Sequence, residues 1–183
     1  MTDIYSPSRV GTAAPSHGEP ATDLQKTVER EDLIASVELL FFAYRDFTGE
    51  ADAVLAQFGF GRAHHRVLHF VNRHPGLRVA DLLDILKITK QSLARVLKQL
   101  VDQGYILQKA GPEDRRERLL YLTAKGRELA NKLLALQCAR VAAALAEAGD
   151  ESGAVTRRFL AGMIAKGERP RIEKLIFGPD GRA

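Results

Sequence analysis

Cysteine occurs once in the 183 residues, at position 138. A lone cysteine cannot close a disulfide within the chain, which fits a reducing compartment. Several catalytic signatures are also missing. There is no phosphate-cradling glycine loop, no nucleophile elbow, no HExxH pair and no Cys-x-x-Cys, so the commonest nucleotide-binding, hydrolytic, metalloprotease and redox patterns are excluded. Gly59-Phe60-Gly61 does not follow a strand and reads as a helix connector. The start, Met1-Thr2-Asp3-Ile4, lacks a basic region and an apolar core, and no uninterrupted apolar run approaches ~20 residues. The expectation is therefore a cytoplasmic protein with no signal peptide, no membrane span, no cofactor and no enzymatic role. No internal repeat or long heptad run is present.

What is there is apolar periodicity and unevenly placed charge. The chain is 45% hydrophobic, enough for one core, and carries a net charge of +4. Between Arg62 and Arg118 lie twelve basic and six acidic residues, so this stretch holds an excess of six positive charges and the remainder is net acidic by two. That is the footprint of a nucleic-acid-binding module. Residues 1–28, rich in Pro, Ser, Gly, Thr and Ala, read as a disordered tail. Glu31 to Phe47 is the first helix, apolar on more than one face, which asks for a partner beyond its own core. Asp52 to Phe58 reads as a short second helix and Arg62 to Asn72 as a third, stopped by His74-Pro75-Gly76.

The centre of the chain is Ile88 to Leu100. Leu93, Val96, Leu97 and Leu100 fall at the spacing that places four side chains on one helical face. Lys90, Gln91, Arg95 and Lys98 are left for the opposite face. Thr89 suits the N-cap, and Gly104 suits the left-handed position that ends the helix. A shorter helix over Arg78 to Leu86 precedes it, joined through Lys87-Ile88. Arg78 is a poor capping residue at that start, where Ser, Thr or Asp would serve better. Tyr105 to Lys109 and Leu119 to Thr123 read as two strands flanking a charged turn from Ala110 to Arg118. Helix, corner, helix and hairpin predict a mainly α fold with a small β wing, a winged helix-turn-helix. Such a helix meets base edges at its N-terminal end, and the arginines of the hairpin tip reach phosphates or a minor groove.

These residues resemble the MarR family of bacterial transcription regulators. The resemblance rests on Leu100-Val101-Asp102-Gln103-Gly104-Tyr105-Ile106, on Asp114-Arg115-Arg116, and on Leu122-Thr123-Ala124-Lys125-Gly126 behind the wing. It covers roughly residues 32–166. Gly61 to Phe70 is similar to the PetP-like branch of that family. The resemblance implies a symmetric homodimer, often a repressor, on a pseudo-palindromic double-stranded operator, with a small-molecule effector as a further partner. It implies a winged-helix domain over 29–166, with a DNA-binding lobe at 62–123 and dimerisation helices at 31–47 and 124–166. Residues 167–183 form either a short docked helix or a frayed tail. Thr89, Lys90, Gln91, Ser92, Arg95 and Lys98 would contact DNA from the helix. Arg115, Arg116 and Arg118 would do so from the wing, with Asp114 bracing an arginine.

Thr123 to Ala148 is a long helix capped by Thr123, with Gly126 a weak point in its first turn. Leu129, Leu133 and Leu136 form one apolar stripe, and Leu134, Cys138, Val141 and Leu145 another. On that stripe Cys138 reads as buried and inert rather than as a redox sensor, since a reactive thiolate needs exposure and a positive neighbour. Glu151 to Ala165 is a further helix with Val155, Phe159, Leu160, Met163 and Ile164 inward. His65 and His69 stand at i, i+4 near His64 and His74, a spacing that could share a metal. The same spacing suits histidines at a packing seam, and the absence of a third ligand favours that reading. Two other readings stay open: a winged helix that binds protein instead of DNA, and a metal- or redox-responsive variant of the regulator.

Overall fold

A computed structural model describes residues 29–178; the tail expected over residues 1–28 lies outside them. Among the described residues there are seven helices and one three-stranded sheet. In chain order these are α1 (Arg30–Ala56), α2 (Arg62–Arg73), β1 (Leu77–Arg78), α3 (Val79–Leu86), α4 (Lys90–Asp102), β2 (Ile106–Ala110), β3 (Arg118–Leu122), α5 (Ala124–Ala148), α6 (Ser152–Met163) and α7 (Arg169–Phe177). The chain divides into two compact units, Met1–Ala43 and Tyr44–Ala183, and the division falls within α1.

The core lies in the second unit. Val67, Leu68 and Val71 of α2 meet Leu82 and Leu86 of α3, Leu93, Leu97 and Leu100 of α4, and Leu129 and Leu133 of α5. Each helix offers apolar residues at the three- and four-residue spacing that one face requires. The wing closes the core's edge through Tyr105, Ile106 and Leu120, all nearly inaccessible.

Four elements depart from the sequence expectation. First, α1 runs unbroken from Arg30 to Ala56, where two helices, Glu31 to Phe47 and Asp52 to Phe58, were expected. A single glycine costs a helix only about 1 kcal/mol. Burial of Ala51 and Leu55 offsets that cost at Gly49. Second, the hairpin is a three-stranded antiparallel sheet in the order β1-β3-β2, with Leu77 opposite Leu120 and Ile106 opposite Leu122. Two residues are too short a strand to show alternation. Arg78 belongs to this strand and stands just before α3 rather than inside a helix.

Third, α6 does not point its apolar residues inward. Val155, Phe159, Leu160 and Met163 are each more than half exposed. Leu39, Phe41 and Phe42 of α1, in the first unit, are exposed to a similar degree. Fourth, Cys138 is exposed, not buried, because α5 turns only Gly126, Leu129, Ala130 and Leu133 fully inward, all in its first half.

By length and composition α5 is apolar enough to cross a membrane, although only 17% of its most apolar window is buried in the chain. Lys132 and Arg140 interrupt the apolar sequence of this continuous helix, so its apolar residues never form one unbroken run. Of the stretch expected over 167–183, Arg169–Phe177 forms a docked helix, and residues 179–183 lie outside the described residues. Arg171 of α7 pairs with Asp84 of α3 at 2.5 Å, and Glu168 lies 3.7 Å from Lys87.

Candidate nucleic-acid interface

The corner between α3 and α4 is set by backbone geometry. Lys87 takes a left-handed conformation (φ 51°) and its N–H donates to Leu83 O. Arg66 of α2 donates to Leu86 O at 3.2 Å, satisfying another carbonyl at the end of α3. Two residues later, Thr89 Oγ1 accepts from Ser92 N at 3.1 Å, so α4 starts on a side-chain cap. The Thr89 hydroxyl also donates to Ser92 Oγ at 2.9 Å. At the far end Gly104 holds φ 75° and Tyr105 N–H returns to Leu100 O at 2.8 Å.

This frame buries Leu93, Val96, Leu97 and Leu100 and leaves Thr89, Lys90, Gln91, Arg95 and Lys98 exposed, with Ser92 half-buried. Lys98 pairs with Asp102 one turn on, at 2.5 Å. Lys90 and Arg95 form no ion pair with another described residue, and neither do Arg115, Arg116 and Arg118 in the wing.

The wing tip is folded by its own backbone. Gly111 N–H donates to Glu117 O at 3.2 Å and Glu117 N–H to Asp114 O at 3.0 Å. Asp114 braces the tip through the main chain, its carboxylate accepting the Arg116 N–H at 2.8 Å. Arg118 Nη1 donates to Arg115 O at 2.7 Å, which fixes one guanidinium across the turn. Between α4 and the wing lies a hollow of about 690 Å³ whose walls include Ala94, Lys98, Asp114, Arg116 and Arg118. The structure thus brings Lys98 of the helix together with two wing arginines. Thr89, Lys90, Gln91, Ser92, Arg95 and Arg115 do not line that hollow.

Arg78 is the residue that sequence reasoning missed. Its guanidinium donates from Nε and Nη2 to both carboxylate oxygens of Asp81, at 2.7 and 2.8 Å, and from Nη1 to Glu117 of the wing at 3.2 Å. The two carboxylates hold its pKa far above the ordinary arginine value. The i, i+3 spacing of Arg78 and Asp81 was legible, whereas a partner 39 positions away was not.

His64 ties α2 to α4 and to the connector before it. His64 Nδ1 accepts the Gly61 N–H at 3.1 Å, so its Nε2 carries the proton toward Gln99 Oε1, 2.9 Å away on α4. Gln99 in turn donates to Gly59 O. The ring stacks on Phe60 with centroids 4.8 Å apart. Burial lowers the pKa of His64, His65, His69 and His74 alike. Among the described residues no group of three or more His, Cys, Asp or Glu side chains is placed to hold a metal ion. His65 and His69 instead face a cavity of about 390 Å³ with Arg62, Arg66, Tyr44, Phe47 and Phe70.

A sequence profile described as the MarR family matches residues 58–117, which hold α2, the helix-turn-helix and the wing tip. The HTH-type transcriptional regulator PetP of Rhodobacter capsulatus is 42% identical over 158 residues, covering 86% of this chain and 95% of that protein. The HTH-type transcriptional repressor Rv2887 of Mycobacterium tuberculosis is 32% identical over 97 residues, 53% of this chain and 70% of the repressor. A crystal structure of Rv2887 with p-aminosalicylic acid superposes with a TM-score of 0.51 at 27% identity, covering 69% of this chain and 95% of that one. A MarR transcriptional regulator from Methanosarcina mazei gives a TM-score of 0.59 at 23% identity, over 72% and 94% of the two chains, and shares the fold. The curated relatives are regulators and not enzymes. With this reading head and these relatives, the chain belongs to the MarR family of winged helix-turn-helix transcription regulators and is similar to its PetP-like branch.

Proposed function

We propose that two copies of the chain bind a pseudo-palindromic site on double-stranded DNA as a cytoplasmic homodimer and act there as a repressor. The observation that carries this reading is the pairing of an exposed polar face on α4 with an arginine-bearing wing across one hollow. The N-terminal half of α4 enters the major groove. Gln91 and Ser92 face base edges, Arg95 takes a guanine or a phosphate, and Lys90 and Lys98 hold phosphates. Thr89 turns its hydroxyl proton from Ser92 Oγ to a DNA phosphate while its oxygen keeps the cap on Ser92 N–H. Arg116 reaches an adjacent minor groove or its phosphates, with Arg115 and Arg118 beside it.

The exposed apolar residues of α1 and those of α6 each supply apolar area for a second copy to cover. A dimer then sets its two reading heads about 34 Å apart, one turn of DNA. An effector site is supported by the cavity between Tyr44, Arg62, His69 and Phe70, which offers cationic side chains beside aromatic faces. An aromatic carboxylate fits that chemistry, and Rv2887 was crystallised with two such acids.

Fluorescence-anisotropy titration of the protein against its own upstream DNA and a scrambled duplex, over a salt series, tests the reading. Lys90, Lys98 and Arg116 from each chain neutralise about six phosphates per dimer, which gives a log–log salt slope of about −5. Selective binding with that slope and two chains per site is expected. Equal, weak binding to both duplexes across a genome-wide set of sites would sink it in favour of a protein partner.

A further inference from the structure

We infer that Arg78 is a positioning residue that locks the wing to the helix-turn-helix, and so fixes how far the wing arginines stand from α4. The inference rests on the proposed DNA-binding role of the same surface. Arg78 occupies the N-cap position of α3 yet makes no side-chain cap. Its planar guanidinium is spent elsewhere: one edge on Asp81 through two parallel bonds, the remaining nitrogen on Glu117. Lysine could not make this three-bond arrangement, since it lacks the fixed fork.

Glu117 is the suitable anchor point in the wing. Its backbone already closes the tip, accepting from Gly111 and donating to Asp114. It sits between Arg116 and Arg118 in sequence, so moving it moves both. Gly111 leaves no slack beneath: a Cβ there would stand 2.7 Å from Asp114 O and 3.1 Å from Glu117 Cβ. The main chain makes a parallel tie, since Arg78 pairs with Leu119 in the antiparallel register of β1 and β3. The clip therefore joins α3, the sheet and the wing tip at one wall of the hollow that Lys98, Arg116 and Arg118 also line.

Arg78 and Glu117 are both partly exposed, with side-chain accessibilities of 51% and 38%. Exposed pairs contribute modestly, though a bidentate arginine in a network does better than an isolated one. The expected effect is a loss of roughly threefold to tenfold in dimer affinity for R78M or E117Q, with two clips per dimer. The double variant should lose no more than R78M alone, because R78M already removes the tie to Glu117 that E117Q weakens.

The discriminating measurement is the salt series read together with footprinting. Removing a phosphate contact flattens the slope by about one unit per site. R78M should flatten the slope by less than the roughly two units expected of R116A, because the wing arginines themselves are retained, while weakening hydroxyl-radical protection at the wing's flanking sequence and sparing major-groove protection. Amide exchange of residues 111–118 in the free protein should quicken in both variants, and E117Q leaves the Arg78–Asp81 pair at the start of α3 intact. R78K should restore little of the wing protection. The inference is overturned if R78M keeps wild-type affinity and wing exchange. It is equally overturned if R78M flattens the slope by the full change of about two units per dimer without quickening wing exchange, which would make Arg78 a direct DNA contact, or if the double variant loses more than R78M alone. Loss of selective binding by the unmodified protein would instead remove the DNA-binding reading, while the exchange measurement would still report on the clip.

Discussion

Replacing Gly126 by alanine sets two effects against each other, and the structure decides the sign. Gly126 lies in the first turn of α5, where alanine is favoured over glycine by about 1 kcal/mol on helix propensity. Yet a Cβ on Gly126 would stand 2.0 Å from Tyr105 O, 3.0 Å from Tyr105 C and 3.3 Å from its Cα. Every one of those atoms is backbone, so no rotamer change relieves the contact, and α5 or the strand entry must move by about 1 Å. Overpacking of this kind costs typically about 1–3 kcal/mol and sometimes more. Tyr105 O also accepts from Thr123 N at 3.1 Å, and shifting that bond adds about 1 kcal/mol. G126A should therefore be destabilised by about 1–3 kcal/mol net, lowering Tm by roughly 2–12 °C for a chain of this size.

Gly49 provides the internal comparison. It too lies inside a helix, and a Cβ added to it would meet nothing within 4 Å, so G49A should be stabilised by up to about 1 kcal/mol. Thermal and urea unfolding followed by far-ultraviolet circular dichroism, at one fixed protein concentration, reads both variants. If G126A matches or exceeds the unsubstituted protein in stability, the close approach of Tyr105 to α5 is not what makes glycine necessary there.

R116A should weaken operator binding and flatten the salt slope by about two units per dimer; unchanged affinity and slope in the anisotropy titration would remove the wing assignment. T89A removes the cap of α4 and should cost about 1 kcal/mol in urea unfolding, together with weaker DNA binding. Burial holds the four histidines named above below their ordinary value. The unfolded chain, titrating near pH ~6.5, then binds more protons than the folded one below about pH 7. Stability should fall as the pH drops through that range, and H64N should flatten the decline; a pH-independent unfolding free energy between pH 7.5 and 5.5, roughly the window in which imidazoles charge, would contradict the burial. F41E places a charge on an exposed apolar position of α1 (69% exposed) and should shift the protein toward monomer in sedimentation equilibrium, whereas an unshifted dimer would place the second copy elsewhere.

Local rules exposed the reading head well. Four leucine and valine positions at helical spacing, Thr89 before them and Gly104 after them all stand where spacing and capping chemistry put them. The long α5 and its Thr123 cap were equally local, with Gly126 N–H donating to Thr123 Oγ1 at 3.0 Å. Non-local facts were hidden. Gly126 looked like a flaw because propensity carries no record of the Tyr105 carbonyl beside it. Arg78 looked misplaced because its value depends on Glu117, far along the chain. The stripes on α5 and α6 correctly marked apolar faces, but periodicity cannot say whether a face meets its own chain, and so Cys138, Phe159 and Met163 were placed inside.

Where α4 ends and α5 begins, the chain is stitched to itself. Thr123 Oγ1 lies 2.7 Å from Gly104 O and 3.3 Å from Tyr105 O, and Lys125 Nζ donates to Gln103 O at 3.0 Å. Mechanically this is a fulcrum. With 25 residues α5 is about 37 Å long, and with 13 residues α4 is about 20 Å. If the two swing as one rigid piece by about 5°, the far end of α5 travels about 3 Å and the reading end of α4 nearly 2 Å. Hydrogen bonds tolerate only about 0.5 Å of stretch. By that geometry a small tilt at the remote end of α5 would move the DNA contacts proposed for the start of α4 by about four times the stretch a hydrogen bond tolerates.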